Sequence, residues 1–251
     1  MIPGEVEARL TFFGVAHDFA GERIIVADSG GGSTELATGV YAPERGVFAL
    51  EGTRSLDIGC RRVTERFFSA LPQLSVWGGS TQLLAEDLTA ALHNRHACAV
   101  LAGTERAAMN VAADLKAAGL PAGYFESLPV DFERAERLVA VGGTVTTLVA
   151  LVHELEPYES SFVHLRELSL EQVSAAIERM SALDVAGIAA LPGAGVILAG
   201  AVVIRELMRV GGYDTLTVSE NSLLASMAAT INEVLDGATP TIAWTPSLSA
   251  L

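Results

Sequence analysis

Two strand-like runs that end in glycine constrain the fold of this chain more than any other feature. Arg23–Asp28 is an apolar stretch closing on a carboxylate. It runs into Gly30-Gly31-Gly32 and then into Ser33-Thr34-Glu35. Thr34–Tyr41 reads as a second strand, so the glycines form the turn of a hairpin, and Gly46–Thr53 reads as a third antiparallel strand. Much later Arg137–Val141 reads as a short buried strand, runs into Gly142-Gly143-Thr144 and continues as a helix over Val145–Leu155. Three antiparallel strands followed by strand–helix alternation describe an α/β layer fold.

The other elements fit that scheme. Helices are expected over Glu5–Phe13, Arg61–Phe68, Glu86–Asn94 and Glu105–Ala118, the last ending at Gly119-Leu-Pro. Ser169 is placed to cap a helix over Leu170–Ala182, with Gln172 at its third position. A loop is expected over Glu156–Glu167, a strand over Thr215–Val218, and a helix over Glu220–Leu235 capped by Ser219. Val185–Ile204 carries no charged residue and is about as long as a membrane span. Pro192 and four glycines interrupt it, and Arg205, Glu206 and Arg209 follow, so it reads as a core helix starting near Gly193.

Composition narrows the function. Half of the 251 residues are hydrophobic, enough for a packed core, and the formal charge is −14. Lys116 is the one lysine, and no basic stripe marks a nucleic-acid surface. Cys60 and Cys98 form no CxxC pattern, and His93 and His96 have no ligand-spaced partner, so no zinc site is expected. Without a signal-like N-terminus or a membrane span, a reducing, cytoplasmic setting is the expectation.

The glycine turn has a chemical reading of its own. Gly30, Gly31 and Gly32 let main-chain N–H groups approach a bulky anion unobstructed, and Ser33 and Thr34 add hydroxyls. Asp28 and Glu35 would repel a phosphate directly. They make sense with a divalent cation between them and the phosphate oxygens. Gly142, Gly143 and Thr144, at a strand-to-helix junction, offer an anion-ready helix N-terminus or, alternatively, close strand–helix packing.

The stretch VADSGGGSTEL resembles the second phosphate motif, DIGGGSTEL, of the Ppx/GppA phosphatases, a family of exopolyphosphatases and guanosine-pentaphosphate phosphohydrolases within the actin-like ATPase superfamily. Further stretches resemble family segments in order: GEVEARLTFFGV (Gly4–Val15), SLDIGCRRVTERF (Ser55–Phe67), LVAVGGTVTTLVAL (Leu138–Leu151), VILAGAVVIRELM and LTVSENSLL. The resemblance implies an actin-like, ribonuclease H-like lobe with a mixed sheet flanked by helices. It implies that Glu7, directly before Ala-Arg-Leu, activates the attacking water, with Glu5 the alternative. By the same resemblance Asp28 and Glu35 associate with Mg²⁺, and Gly30–Gly32, Ser33, Thr34 and Gly142–Thr144 surround phosphate. Arg9, Arg61 and Arg62 are candidates for neutralising a polyanion.

The chain also departs from the family pattern. It starts at the second-lobe helix, so the first lobe with its D-x-G-T/S-N-S loop is expected to be missing. Residues 70–98, with Trp77-Gly78-Gly79-Ser80, do not align and read as an insertion. LPGAGVILAG lacks an arginine-bearing linker, and Leu224-Ala225-Ser226 stands where many members carry Arg-Glu-Gly. The expectation is therefore a second lobe over residues 1–237 and a disordered tail over 238–251. The implied reaction is Mg²⁺-dependent release of terminal phosphate from polyphosphate or guanosine pentaphosphate. A homodimer or a separate first lobe are the protein partners this reading leaves open. The rival classes are a non-catalytic polyphosphate or alarmone sensor and a lobe of another actin-like ATPase or kinase.

Overall fold

Six strands form one mixed sheet in the order β3-β2-β1-β4-β6-β5. The structure is a computed structural model and describes residues 4–68, 86–117, 137–221 and 223–242. The expected insertion lies mostly outside these residues, as do the side chains of Glu5, His93 and His96. Strands β1 (Arg23–Ser29), β2 (Thr34–Ala42) and β3 (Val47–Leu56) form an antiparallel meander. Strands β4 (Arg137–Val141) and β6 (Thr215–Ser219) continue parallel to β1, and β5 (Arg166–Ser169) closes the far edge antiparallel to β6.

Successive side chains of β1 point to opposite faces, and both faces are covered. Ile24 and Val26 join Phe12, Val15, Ala16 and Phe19 beneath helix α1 (Gly4–Ala16). Ile25 and Ala27 face the larger core on the other side. Around that core lie α2 (Cys60–Phe67), α3 (Glu86–Ala117), α4 (Gly143–His153), α5 (Ser160–Val163), α6 (Leu170–Ser181) and α7 (Val185–Ala190). Helix α8 (Ile197–Gly211) is buried along most of its length and packs on α2, α3, α4 and α6. The uncharged 185–204 stretch is thus one short helix and the start of a core helix. Among the described residues no helix is long and apolar enough to cross a membrane.

Helix α9 (Leu223–Leu235) lies beside α1. The expected cap moves with it: Ser219 Oγ accepts from Asn221 N–H at 3.1 Å in a turn, and the helix starts only at Leu223. The expected tail also needs correction in its first residues. Thr241 bonds Glu233 through its N–H (3.0 Å) and its hydroxyl (2.6 Å). Ile242 is buried with Leu10 and Phe13. Residues 243–251 lie outside the described residues.

Two strained places are resolved by sequence choice. Between Thr38 and Gly39 the β2–β3 register shifts, leaving Glu51 as the extra residue of a bulge. Glu51 turns inward to Arg23, and its Oε2 takes the guanidinium Nε and Nη2 at 2.8 Å each. Gly39 lies so close to the Ala49 carbonyl that any Cβ would overlap it.

Candidate active site

The parallel pairing of β1 with β4 brings both glycine turns to the carboxyl end of the sheet, with Asp28 beside Val141 in register. In open α/β sheets that edge is where ligands bind. Asp28 follows Ile24 and Val26 at period two, so its side chain lies on the α1 face, and Glu35 is its direct partner across the hairpin. Glu7, exposed on the first turns of α1, is the third carboxylate here. Burial, then Glu35, then Glu7 push the Asp28 carboxyl from its ordinary 3.8 up to about 6. Ser55 donates to Glu35 Oε1 at 3.0 Å and steadies that carboxylate.

The glycine loop is held from one side only. Gly30 N–H donates to Ser33 O (3.0 Å), closing the turn. The Gly30 carbonyl accepts from Cys60 N–H (3.0 Å), and the Gly31 carbonyl accepts from Arg61 N–H (2.9 Å). The first N–H groups of α2 are therefore occupied by the loop. In a trans peptide the carbonyl and the following N–H point in opposite directions. With the Gly30 and Gly31 carbonyls turned to α2, the N–H groups of Gly31 and Gly32 point away from it. Neither these nor the Ser33 N–H has a protein acceptor among the described residues. Gly59 is needed for this contact, because a Cβ there would lie 2.5 Å from Gly31 O.

The second turn abuts the first. Gly142 has φ +94°, which only glycine adopts without strain, and a Cβ on it would stand 3.3 Å from Asp28 Oδ1. Gly143 is exposed with open space around it, and its N–H and that of Thr144 belong to the unpaired first turn of α4.

The Thr34 hydroxyl, expected to face a ligand, does not. Thr34 is buried and donates to Ile58 O at 2.6 Å, with Ser29 Oγ 3.3 Å away, so it ties the hairpin to the chain entering α2. Thr144 is buried, its side chain turned toward Gly200 of α8, which leaves its N–H as the group available to the site. Ser33 is half-buried at the turn. Among the arginines, Arg62 stands beside Gly32 and pairs with Asp57 at 3.1 Å, and Arg61 is exposed against Gly31. Arg9 instead reaches the Ile242 carbonyl at 3.4 Å, tying α1 to the chain end.

A metal would find two carboxylates rather than a cage. Among the described residues no group of three or more His, Cys, Asp or Glu is arranged to hold an ion. Asp28 and Glu35, opposed on one face with Asp28 resisting ionisation, suit a cation that keeps much of its own water, as Mg²⁺ does. Sequence reasoning missed Gly59 and Gly200, whose importance arises only from contacts far along the chain. It also missed the cluster past β6, where Tyr158 donates to Glu220 and His164 Nδ1 accepts from Glu220 N–H at 3.3 Å.

The chain is similar to several known proteins. The sequence profile of the Ppx/GppA phosphatase family matches residues 1–75. Exopolyphosphatase 2 of Mycobacterium tuberculosis is 31% identical over 243 residues, covering 92% of this chain and 63% of its own length. A bifunctional 3-dehydroquinate synthase/phosphatase of Fusobacterium nucleatum is 27% identical over 231 residues, covering 89% of this chain and 29% of its own length. The crystal structure of the Aquifex aeolicus Ppx/GppA family member superposes with a TM-score of 0.67 at 23% identity, covering 94% of this chain and 64% of that one. The chain thus spans 63% of the length of the exopolyphosphatase and 64% of the crystallised chain, somewhat less than two thirds of each. The expected mixed sheet flanked by helices is the fold observed, and that crystal structure shares it. The chain is similar to Ppx/GppA phosphatases, through the profile match over residues 1–75 and relatives aligned along most of its length.

Proposed function

We propose that this chain carries the phosphate-binding half of a phosphoanhydride hydrolase that removes terminal phosphate from inorganic polyphosphate. The observation that supports this most is the pair of outward N–H groups at Gly31 and Gly32 beside Asp28 and Glu35. Backbone donors of that kind suit phosphate oxygens. Ser33 N–H and the first turn of α4, Gly143 and Thr144, add donors on the facing side, and Arg62 adds positive charge. Asp28 and Glu35 would hold Mg²⁺, which when bound neutralises phosphate charge. Glu7, exposed at the mouth of the carboxylate group, would orient a water and accept its proton. Guanosine pentaphosphate presents the same terminal anhydride and is the second substrate to test.

Tripolyphosphate affinity with and without Mg²⁺, together with phosphate release from long-chain polyphosphate and guanosine pentaphosphate, tests the proposal. Mg²⁺-dependent binding is expected, and Glu7→Gln should retain it while release falls by about 10²–10⁴-fold. Unchanged release in Glu7→Gln would move the base elsewhere. Binding without release in any form of the chain would favour a polyphosphate-binding module, and no binding would sink the phosphate reading.

A further inference from the structure

The β1–β4 pairing brings the two turns together, and three helices pack behind them. At the start of α2, Gly59 presses on the Gly31 carbonyl and on Gly32, while Cys60 N–H holds the Gly30 carbonyl. Behind Cys60 lies Gly200 of α8, whose Cβ position would be 3.3 Å from Cys60 Cβ. Thr144 of α4 meets the same position, where the added Cβ would fall 2.7 Å from both its Oγ1 and Cγ2. A continuous contact therefore runs from the glycine loop through α2 and α8 to the first turn of α4. Gly200 is the thinnest part of it.

We propose that Gly200 is a positioning residue: by admitting the Thr144 side chain, it sets the gap between the loop at 30–33 and the α4 N-terminus. The role rests on the phosphate reading given above, since that gap is where the ligand would lie. A Cβ at Gly200 cannot be absorbed by a small side-chain swing. Thr144 branches at Cβ, which limits its rotamers, and it is buried. Helix α8 packs on α2, α3 and α6, while α4 begins at exposed Gly143 with open space around it, so its first turn is where we expect the shift. Displacements of this size at a positioned group cost up to about 10²-fold in an optimised site.

The experiment measures tripolyphosphate affinity in the presence of Mg²⁺, by calorimetry, alongside thermal unfolding of each form of the chain. Gly200→Ala should weaken affinity by roughly tenfold or more while remaining folded at the measuring temperature. Adding Thr144→Ala to Gly200→Ala empties the space the new methyl needs and should recover affinity relative to Gly200→Ala. Gly187→Ala in α7, also tightly packed but remote from the turns, should lower the unfolding midpoint without changing affinity. Unchanged affinity in Gly200→Ala, or no recovery in the double variant, would overturn the positioning role. Absence of binding by the unmodified chain would overturn the phosphate reading instead.

Discussion

At Asp28 burial and charge act in the same direction. Its carboxyl titrates near 6 in the folded chain against 3.8 in the unfolded one, so the folded state holds the proton more tightly. The sign follows from linkage: the contribution of this group to stability is fully present below 3.8 and is lost as pH rises through about 6. Asp28→Asn should therefore raise the metal-free unfolding midpoint at pH 7.5 by a few degrees and leave it nearly unchanged at pH 4. The proposed cation competes with the same proton, so the midpoint gain from Mg²⁺ should grow between pH 5 and 7.5 and vanish in Asp28→Asn. A gain independent of pH would place the ion elsewhere. The hairpin turn that joins Asp28, Gly30–Gly32 and Glu35 was legible in sequence because its signal is local. The Thr34 hydroxyl turns inward because Ile58, distant in sequence, decides where it points.

Elements with local signals were equally legible. Strand β4 runs over Arg137–Val141 as expected, and Ser169 and Gln172 form the reciprocal cap of α6, with bonds of 3.0 and 2.8 Å. Ser169→Ala removes the side-chain acceptor and should cost about 1 kcal/mol, read as a drop of roughly 2–4 °C in the unfolding midpoint. An unchanged midpoint would show that the cap is idle. Strand β5, four residues with two charges, has no apolar run to reveal it and exists because β6 offers an edge. The helices expected over Glu86–Asn94 and Glu105–Ala118 are one helix, α3. Gly103 within it does not end the helix. It permits close approach to α2, since a Cβ there would lie 3.0 Å from Phe67 O.

For the whole molecule, α1 carries Glu7 and packs on the sheet on one side, while α9 and the segment after it, as far as Ile242, close its other side. Ile242 is buried with Leu10 and Phe13, and its carbonyl takes Arg9. Ile242→Ala should destabilise the chain by about 2–4 kcal/mol, visible as a lower urea midpoint with an unchanged slope. No change would mean that the chain end does not dock. Small polar residues and two prolines made this stretch read as a frayed tail, and only the pocket between α1 and α9 supplies the reason for its order.

The bulge at Glu51 has a consequence beyond its ion pair with Arg23. Among the described residues β3 is the outer strand of the sheet, and an edge strand of ten residues could template the addition of another chain. The bulge breaks the even spacing that a foreign strand would need, and the inward carboxylate makes a one-residue slip bury an unpaired charge. The kink that lets β3 follow β2 thus also guards this edge against intermolecular β-pairing.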